Sequence, residues 1–362
     1  MTGIAAHRFS RRMLIAATMA AAAGGVTSVA AQERAAEIVA TMTLRQQVAR
    51  MFIFPVSGPE LTGAESAWLR ELQPGGVILV ERNFDASRDV HSLTSAIHAT
   101  GPSLPPLVSL DQEGGMVTRL LDDPAPDAPT MGTLSLDEIT SFAMQRAVLL
   151  ASYGVDLNFA PVADVAFTPD SFMAGRTFGA DPEWVAECVV AYLDGVKDTP
   201  VIHCVKHFPG HGRVSVDSHQ DLPLLEVDPT TWASADALPF AAAIADSVPM
   251  VMLGHLAVPM WDDLPASLSP AAVKVLRGDV GYSGVIVTDD LYMGALNAWQ
   301  PLEIVDLAIS AGVDVLLYVD LPDAPQALIN HVVGQVRQGA IGEERIRESA
   351  RRIVAMQLAA SP

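Results

Sequence analysis

The 362-residue chain has two cysteines, 22 basic residues against 42 acidic ones, and only 18% charged residues in all. Each scarcity excludes something. Cys188 and Cys204 are too few for a disulfide framework; they read as two buried thiols behaving as small hydrophobes, although an oxidising compartment would permit one bridge. The shortage of Lys and Arg, with a net charge of −20, argues against nucleic acid as a partner, which calls for a basic face, and equally against docking on anionic lipid. Low charge does not mean disorder here, because half the residues are hydrophobic. Beyond residue 31 no apolar run reaches the roughly 18 residues of a membrane span. No strand-like run is followed by the Gly-x-Gly-x-x-Gly of a dinucleotide-binding fold.

What is present starts with the first 31 residues. His7-Arg8-Phe9-Ser10-Arg11-Arg12 precedes Met13-Leu14-Ile15-Ala16 and an Ala-rich run to Ala31. A basic start, apolar middle and small-residue end predict a signal peptide over residues 1–31, with cleavage near Ala30 or Ala31. Ser10-Arg11-Arg12-Met13-Leu14 resembles a twin-arginine signal, which predicts a bacterial protein exported to the periplasm or beyond. An uncleaved anchor is the alternative. Residues 32–362 then form one catalytic-sized domain.

From residue 45 onward short apolar runs alternate with amphipathic stretches. The predicted strands are 51–54, 76–80, 107–110, 156–160, 201–205, 250–253, 285–287 and 313–318, rich in Val, Ile and Leu and without sustained alternation. Such runs suit strands buried on both faces of a parallel sheet. Predicted helices at 140–153, 182–197, 239–246, 270–277, 301–311 and 324–337 lie between them, several opening on Pro. Eight strand–helix repeats predict an α/β fold, a single (β/α)8 TIM-type barrel, with a doubly wound open sheet as the alternative. Polar residues follow several strands: Asp111, Lys206-His207, His255 and Asp289-Asp290. In barrel enzymes the carboxyl ends of strands carry the chemistry.

Asp289 and Asp290 are adjacent, so simple alternation turns only one toward the barrel mouth, and Asp290 could instead cap the next helix. The stretch from Lys206 to His219 is densely polar, and Pro209 with Gly210 and Gly212 predicts a shaped loop. Asp217 and His219 stand close enough for the carboxylate to orient the imidazole as a proton shuttle. His203, His207 and His211 are four apart, a metal-ligand spacing on a helix, but one lies in a strand and Pro-Gly breaks the rest, so no metal is expected. Asp111-Gln112-Glu113-Gly114-Gly115, Arg119 and Arg176 are further candidates for ligand contact; each alone also fits an ordinary turn or a surface ion pair.

Together these segments resemble one family. Gly281-Tyr282-Ser283-Gly284-Val285-Ile286-Val287-Thr288-Asp289 closely resembles the nucleophile segment of glycoside hydrolase family 3. Lys206-His207-Phe208-Pro209-Gly210-His211-Gly212 with Asp217-Ser218-His219 looks like the hallmark of its β-N-acetylhexosaminidase branch. The segments at 74–79, 111–115, 158–165 and around Arg176 match the same branch, in order, from about residue 40 to the C-terminus. The resemblance implies a retaining, exo-acting enzyme that removes β-linked N-acetylglucosamine, with peptidoglycan fragments as the expected carbohydrate substrate and no cofactor. It implies Asp289 as nucleophile, His219 as general acid/base tuned by Asp217 on a mobile loop, and Asp111, Arg119, Arg176, Lys206 and His207 as sugar-binding residues.

The chain departs from the family pattern at Met116, where many members carry Arg, in the weakly polar stretch Gly212-Arg213-Val214-Ser215-Val216, and at Tyr292, where a small residue is common. The alternatives are a family member preferring glucose or another hexose, a substrate-assisted hydrolase using Asp289 with Asp290, a metal hydrolase, and a non-catalytic sugar-binding barrel.

Overall fold

A computed structural model describes residues 27–85, 89–101, 103–320 and 324–360. Eight parallel strands close into a barrel in sequence order: β1 (Phe52–Pro55), β2 (Gly76–Ile78), β3 (Leu107–Leu110), β4 (Leu157–Asn158), β5 (Ile202–Phe208), β6 (Met250–Leu253), β7 (Val285–Asp290) and β8 (Val315–Leu317). Closure comes from β8 pairing with β1, Leu316 opposite Phe52. The open-sheet alternative is thereby excluded. Each of the eight predicted runs overlaps its strand, and five contain it whole. The reason is chemical: a barrel strand is covered by helices outside and packed side chains inside, so it carries almost uninterrupted apolar sequence.

Two boundaries differ from expectation in a way that matters. β5 continues through Phe208, so Lys206 and His207 lie on the strand and the shaped loop starts only at Pro209. β7 continues through Asp290. Both extensions carry a register shift, between Val205 and Phe208 against β6 and between Val287 and Asp290 against β8. A bulge of this kind turns side chains away from simple alternation.

The helices start where their caps dictate. Thr62 with Glu65 and Ser135 with Glu138 form capping boxes ahead of Gly63–Leu72 and Leu136–Ser152. Asp181 caps Pro182–Val196, with Pro in the first turn where no N–H is needed. The helix Pro270–Lys274 ends earlier than predicted, passing into a π turn at Val275–Asp279.

Helix Val29–Thr41 packs on the last helix, Glu343–Ala360, through Ala35, Val39, Ala350, Val354 and Ala355. The predicted export signal lies outside the described residues up to position 26, and its expected cleavage region falls at the start of Val29–Thr41. Cys188 and Cys204 are both buried and free. Among the described residues no helix is long and apolar enough to cross a membrane.

Candidate active site

The carboxyl ends of the strands surround a cavity of about 220 Å³. Seven of the eight predicted site residues line it: Asp111, Arg119, Arg176, Lys206, His207, His219 and Asp289. The eighth, Asp217, stands behind His219 and holds it.

One wall is an ion network. Glu113 is buried and receives Arg176 through two guanidinium nitrogens, at 2.9 and 2.7 Å. Lys206 Nζ lies 2.7 Å from the same carboxylate and 2.6 Å from Asp111 Oδ1. Burial alone would raise the Glu113 carboxyl, yet the charges of Lys206 and Arg176 hold it well below the usual range. Lys206 is pulled down by burial, and Asp111 and Glu113 more than reverse that, so the buried ammonium stays charged.

The β3 loop is shaped to serve this wall. Gly114 and Gly115 take φ of 92° and 61°. A Cβ on Gly114 would stand 2.7 Å from Arg146 Nη2, which itself holds the carbonyls of Ala125 and Pro126. Gln112 accepts the N–H groups of Arg119 and Leu120 and so folds the loop back. That brings Arg119 to the cavity, paired with Glu81 at 2.8 Å. Its buried Nε has no hydrogen-bond partner among the described residues.

A second wall is built from imidazoles. His207 donates from Nδ1 to the fully buried Asp164 at 2.7 Å, and Asp164 also accepts the His211 N–H at 2.6 Å. Burial would raise Asp164, but His207 and His211 lower it overall. With Nδ1 committed, His207 keeps Nε2 for a ligand. His211 is drawn down to about 4 by burial and bonds Ser218 Oγ from Nε2 at 3.0 Å.

His203 stands apart from these imidazoles. It donates from Nδ1 to the Val201 carbonyl and packs against Tyr192, so the three evenly spaced histidines do not converge. Among the described residues no group of three or more His, Cys, Asp or Glu is arranged to hold a metal ion.

Asp289 sits half-buried in the cavity. Burial alone would raise its carboxyl; His207, His255, the Asp290 N–H and Lys206 lower it overall, so it is ionised at neutral pH. Its neighbour behaves oppositely. Asp290 Oδ1 accepts the N–H groups of Val319 and Tyr292, at 3.0 and 3.3 Å, and burial pushes its carboxyl up to about 6. Both side chains border the cavity, which the β7 bulge permits and plain alternation does not. Asp290 is not a helix cap, since the next turn, Gly294–Leu296, is preceded by Met293. His255 donates from Nε2 to the Asp290 carbonyl at 2.8 Å and bonds Ser267 from Nδ1, which fixes the end of β7.

Asp217 Oδ1 accepts both the N–H of His219, at 2.9 Å, and its Nδ1–H, at 2.7 Å. The imidazole is 62% exposed and turns Nε2 away from Asp217. Burial alone would raise the Asp217 carboxyl, but the bonds from His219, its charge and the bond from Gln220 together lower it overall. Three residues essential to this arrangement were not singled out in the sequence. Asp164 and Glu113 lie inside recognised segments, but their partners are distant in sequence; Phe172, which packs on His211 and His219, carries no motif signal at all.

The profile "Glycosyl hydrolase family 3 N terminal domain" matches residues 43–356. A protein named beta-hexosaminidase from Bordetella avium (strain 197N) is 38% identical over 292 residues, covering 76% of this chain and 82% of its own. Among solved structures, a family 3 beta-N-acetylglucosaminidase from Paenibacillus sp. str. FPU-7 superposes with a TM-score of 0.85 at 31% identity, over 88% of this chain. The chain spans 63% of that longer protein. A beta-N-acetylhexosaminidase from Beutenbergia cavernae DSM 12333 gives a TM-score of 0.79 at 30% identity, over 88% of this chain and 99% of its own.

Proposed function

The chain belongs to glycosyl hydrolase family 3, and on that premise we propose that it is a retaining, exo-acting β-N-acetylhexosaminidase that releases terminal β-linked N-acetylglucosamine. The observation that carries the reading is the meeting, in one cavity of about 220 Å³, of an ionised Asp289 and a His219 whose Nδ1 is committed to Asp217.

In the first step Asp289 bonds to the anomeric carbon as the glycosidic C–O bond breaks, and His219 Nε2–H delivers its proton to the leaving oxygen. In the second step water gives a proton to Nε2, its oxygen attacks the same carbon, and Asp289 leaves. Asp217 favours the imidazolium needed first and keeps the ring oriented for the second transfer. Asp111, Lys206, His207, Arg119 and Arg176 hold the terminal sugar. With Nδ1 committed to Asp164, His207 presents Nε2 as an acceptor for a sugar hydroxyl.

A substrate-assisted route through Asp289 and Asp290 is disfavoured because Asp290 is engaged by two backbone N–H groups. The sequence pattern further supports residues 1–31 as an export signal and 32–362 as the mature domain. Peptidoglycan fragments met in the periplasm or outside the cell are then the proposed substrate.

Parallel assays on aryl β-N-acetylglucosaminide and β-glucoside, followed by trapping with a fluorinated glycosyl fluoride, test the reading. Preference for the first substrate and a covalent adduct on Asp289 are expected; hydrolysis without any adduct on Asp289 overturns the mechanism.

A further inference from the structure

We infer that Gly294 and Phe172 are positioning residues that clamp the His219 loop from two sides and fix it to the nucleophile strand. The inference rests on the acid/base role proposed for His219 and concerns what keeps that residue in place.

The imidazole of His219 is 62% exposed, so burial does not hold it. Its main chain does. Gly294 N–H donates to the His219 carbonyl at 3.0 Å, and Ala295 N–H donates to the Ser218 carbonyl at 3.1 Å. Gly294 follows Asp289 by five positions, on the loop that leaves β7. The loop with the proton carrier is therefore bonded directly to the segment that carries the nucleophile.

The glycine is required by this contact and not by its own backbone. It opens the short turn Gly294–Leu296 and has no left-handed φ, so alanine is locally acceptable there. A Cβ at 294, however, would stand 2.3 Å from the Gln220 carbonyl oxygen and 2.7 Å from that of His219. Both obstacles are backbone of the docked loop. Alanine and the docked loop cannot coexist, while alanine and an undocked loop can.

The opposite flank is closed by Phe172. Its ring lies 5.4 Å from that of His211 and 6.2 Å from that of His219, edge-on to the latter, and its N–H donates to the Val214 carbonyl at 3.0 Å. Ser218 adds a bond to the buried His211. Loosening the clamp leaves Asp289 and the ion-paired wall of Glu113, Lys206 and Arg176 in place but frees the proton carrier; Phe172 also borders the cavity, so its variant is read by the contrast between two substrates that share the sugar.

The test uses the full chain as wild type, Gly294→Ala, Phe172→Ala and His219→Ala. Two readouts are taken: amide hydrogen exchange across residues 211–222, and kcat/KM for a dinitrophenyl β-N-acetylglucosaminide against an alkyl one. Clamp variants are expected to exchange at least about tenfold faster over 211–222. They should lose roughly 100-fold on the alkyl substrate, within the range of a lost general acid, and little on the activated one. On the activated substrate the loss should fall on kcat, through slow attack of water on the glycosyl-enzyme, and added azide should raise that kcat, as in His219→Ala.

Unchanged exchange overturns the clamp, as does an equal loss on both substrates. If Gly294→Ala gives no folded protein, Phe172→Ala must still show the leaving-group signature, or the inference fails. A His219→Ala enzyme without that signature overturns the acid/base reading instead, whereas a signature in His219→Ala that is missing from both clamp variants overturns the clamp alone.

Discussion

Glu113 at the carboxyl end of the barrel and Asp314 at the amino end are both buried acids ringed by bases, yet they serve different ends. Asp314 accepts Arg277 at 2.6 Å, Arg352 at 3.1 Å, Ser349 at 2.6 Å and the Ile286 N–H at 3.0 Å, and it also faces Arg345. Its bases are spent as well: Arg277 reaches the carbonyls of Tyr282 and Gly284, and Arg345 those of Ile309 and Val313. The cluster stitches β7 and β8 to the last helix. At the other end Lys206 and Arg176 neutralise Glu113 while still facing the cavity.

Size does not distinguish the two ends in the expected direction. The larger cleft, about 310 Å³, lies beside Arg351, Arg352 and Glu348 at the Asp314 end. What marks the site is polar capacity left unspent in a concave wall, not volume or charge density.

The sharpest way to break this contrast is at Asp289. Asp289→Asn is expected to reduce turnover by on the order of 10⁴-fold with a thermal midpoint near that of wild type, measured by steady-state kinetics and calorimetry. Asp314→Ala should do the reverse. Removing the buried carboxylate that three half-buried guanidinium groups share costs about 3 kcal/mol in denaturant unfolding, while the folded fraction keeps its kcat and KM. A rise in KM in that variant would erase the distinction between the two ends. Glu113→Gln falls between them, with some loss of stability and a KM raised about tenfold or more, because Lys206 and Arg176 lose the anion that aims them.

Acidity separates the carboxylates further. Asp314 and Glu113 are both held below their ordinary values, so their stabilising contribution is complete above about pH 5 and is lost as pH falls through the lower, folded values. Asp290 has the opposite sign: raised to about 6, it favours the folded state below its ordinary value and costs stability as pH rises through 6. Asp290→Asn keeps an oxygen for Val319 and Tyr292 and should gain about 1 kcal/mol at pH 7.5 relative to pH 4. Denaturant midpoints at the two pH values measure this; an equal effect at both would contradict it. The smallest effect belongs to Arg347, paired with Glu343 and Glu344 on the solvent side of the last helix, where Arg347→Ala should change stability by less than about 0.5 kcal/mol.

Much of this was legible in the chain because a parallel barrel writes itself plainly. Strands buried on both faces give unbroken Val, Ile and Leu, and polar residues directly after them point to the mouth. The Asp217–His219 pair was legible because the bond spans two residues. Glu113, Asp164 and Asp314 were not, since their meaning comes from partners 30 or more positions away. Lys206 and His207 looked like loop because Pro209 and Gly210 follow so closely; pairing with β6 carries the strand up to them. Gly294 resembles any turn glycine until the backbone that passes over it is seen.

The two register shifts, one on β5 and one on β7, have a further consequence for how this site can change. Each places a cavity-lining group, Lys206 or Asp289, by residue count along a strand rather than by the shape of a loop. Loops at the mouth that carry no site residue can therefore vary, in length as well as composition, without moving Lys206 or Asp289. A one-residue insertion or deletion between Val201 and Lys206, or between Val285 and Asp289, would instead rotate Lys206 or Asp289 toward the surrounding helices, and no later substitution at those positions would bring the group back.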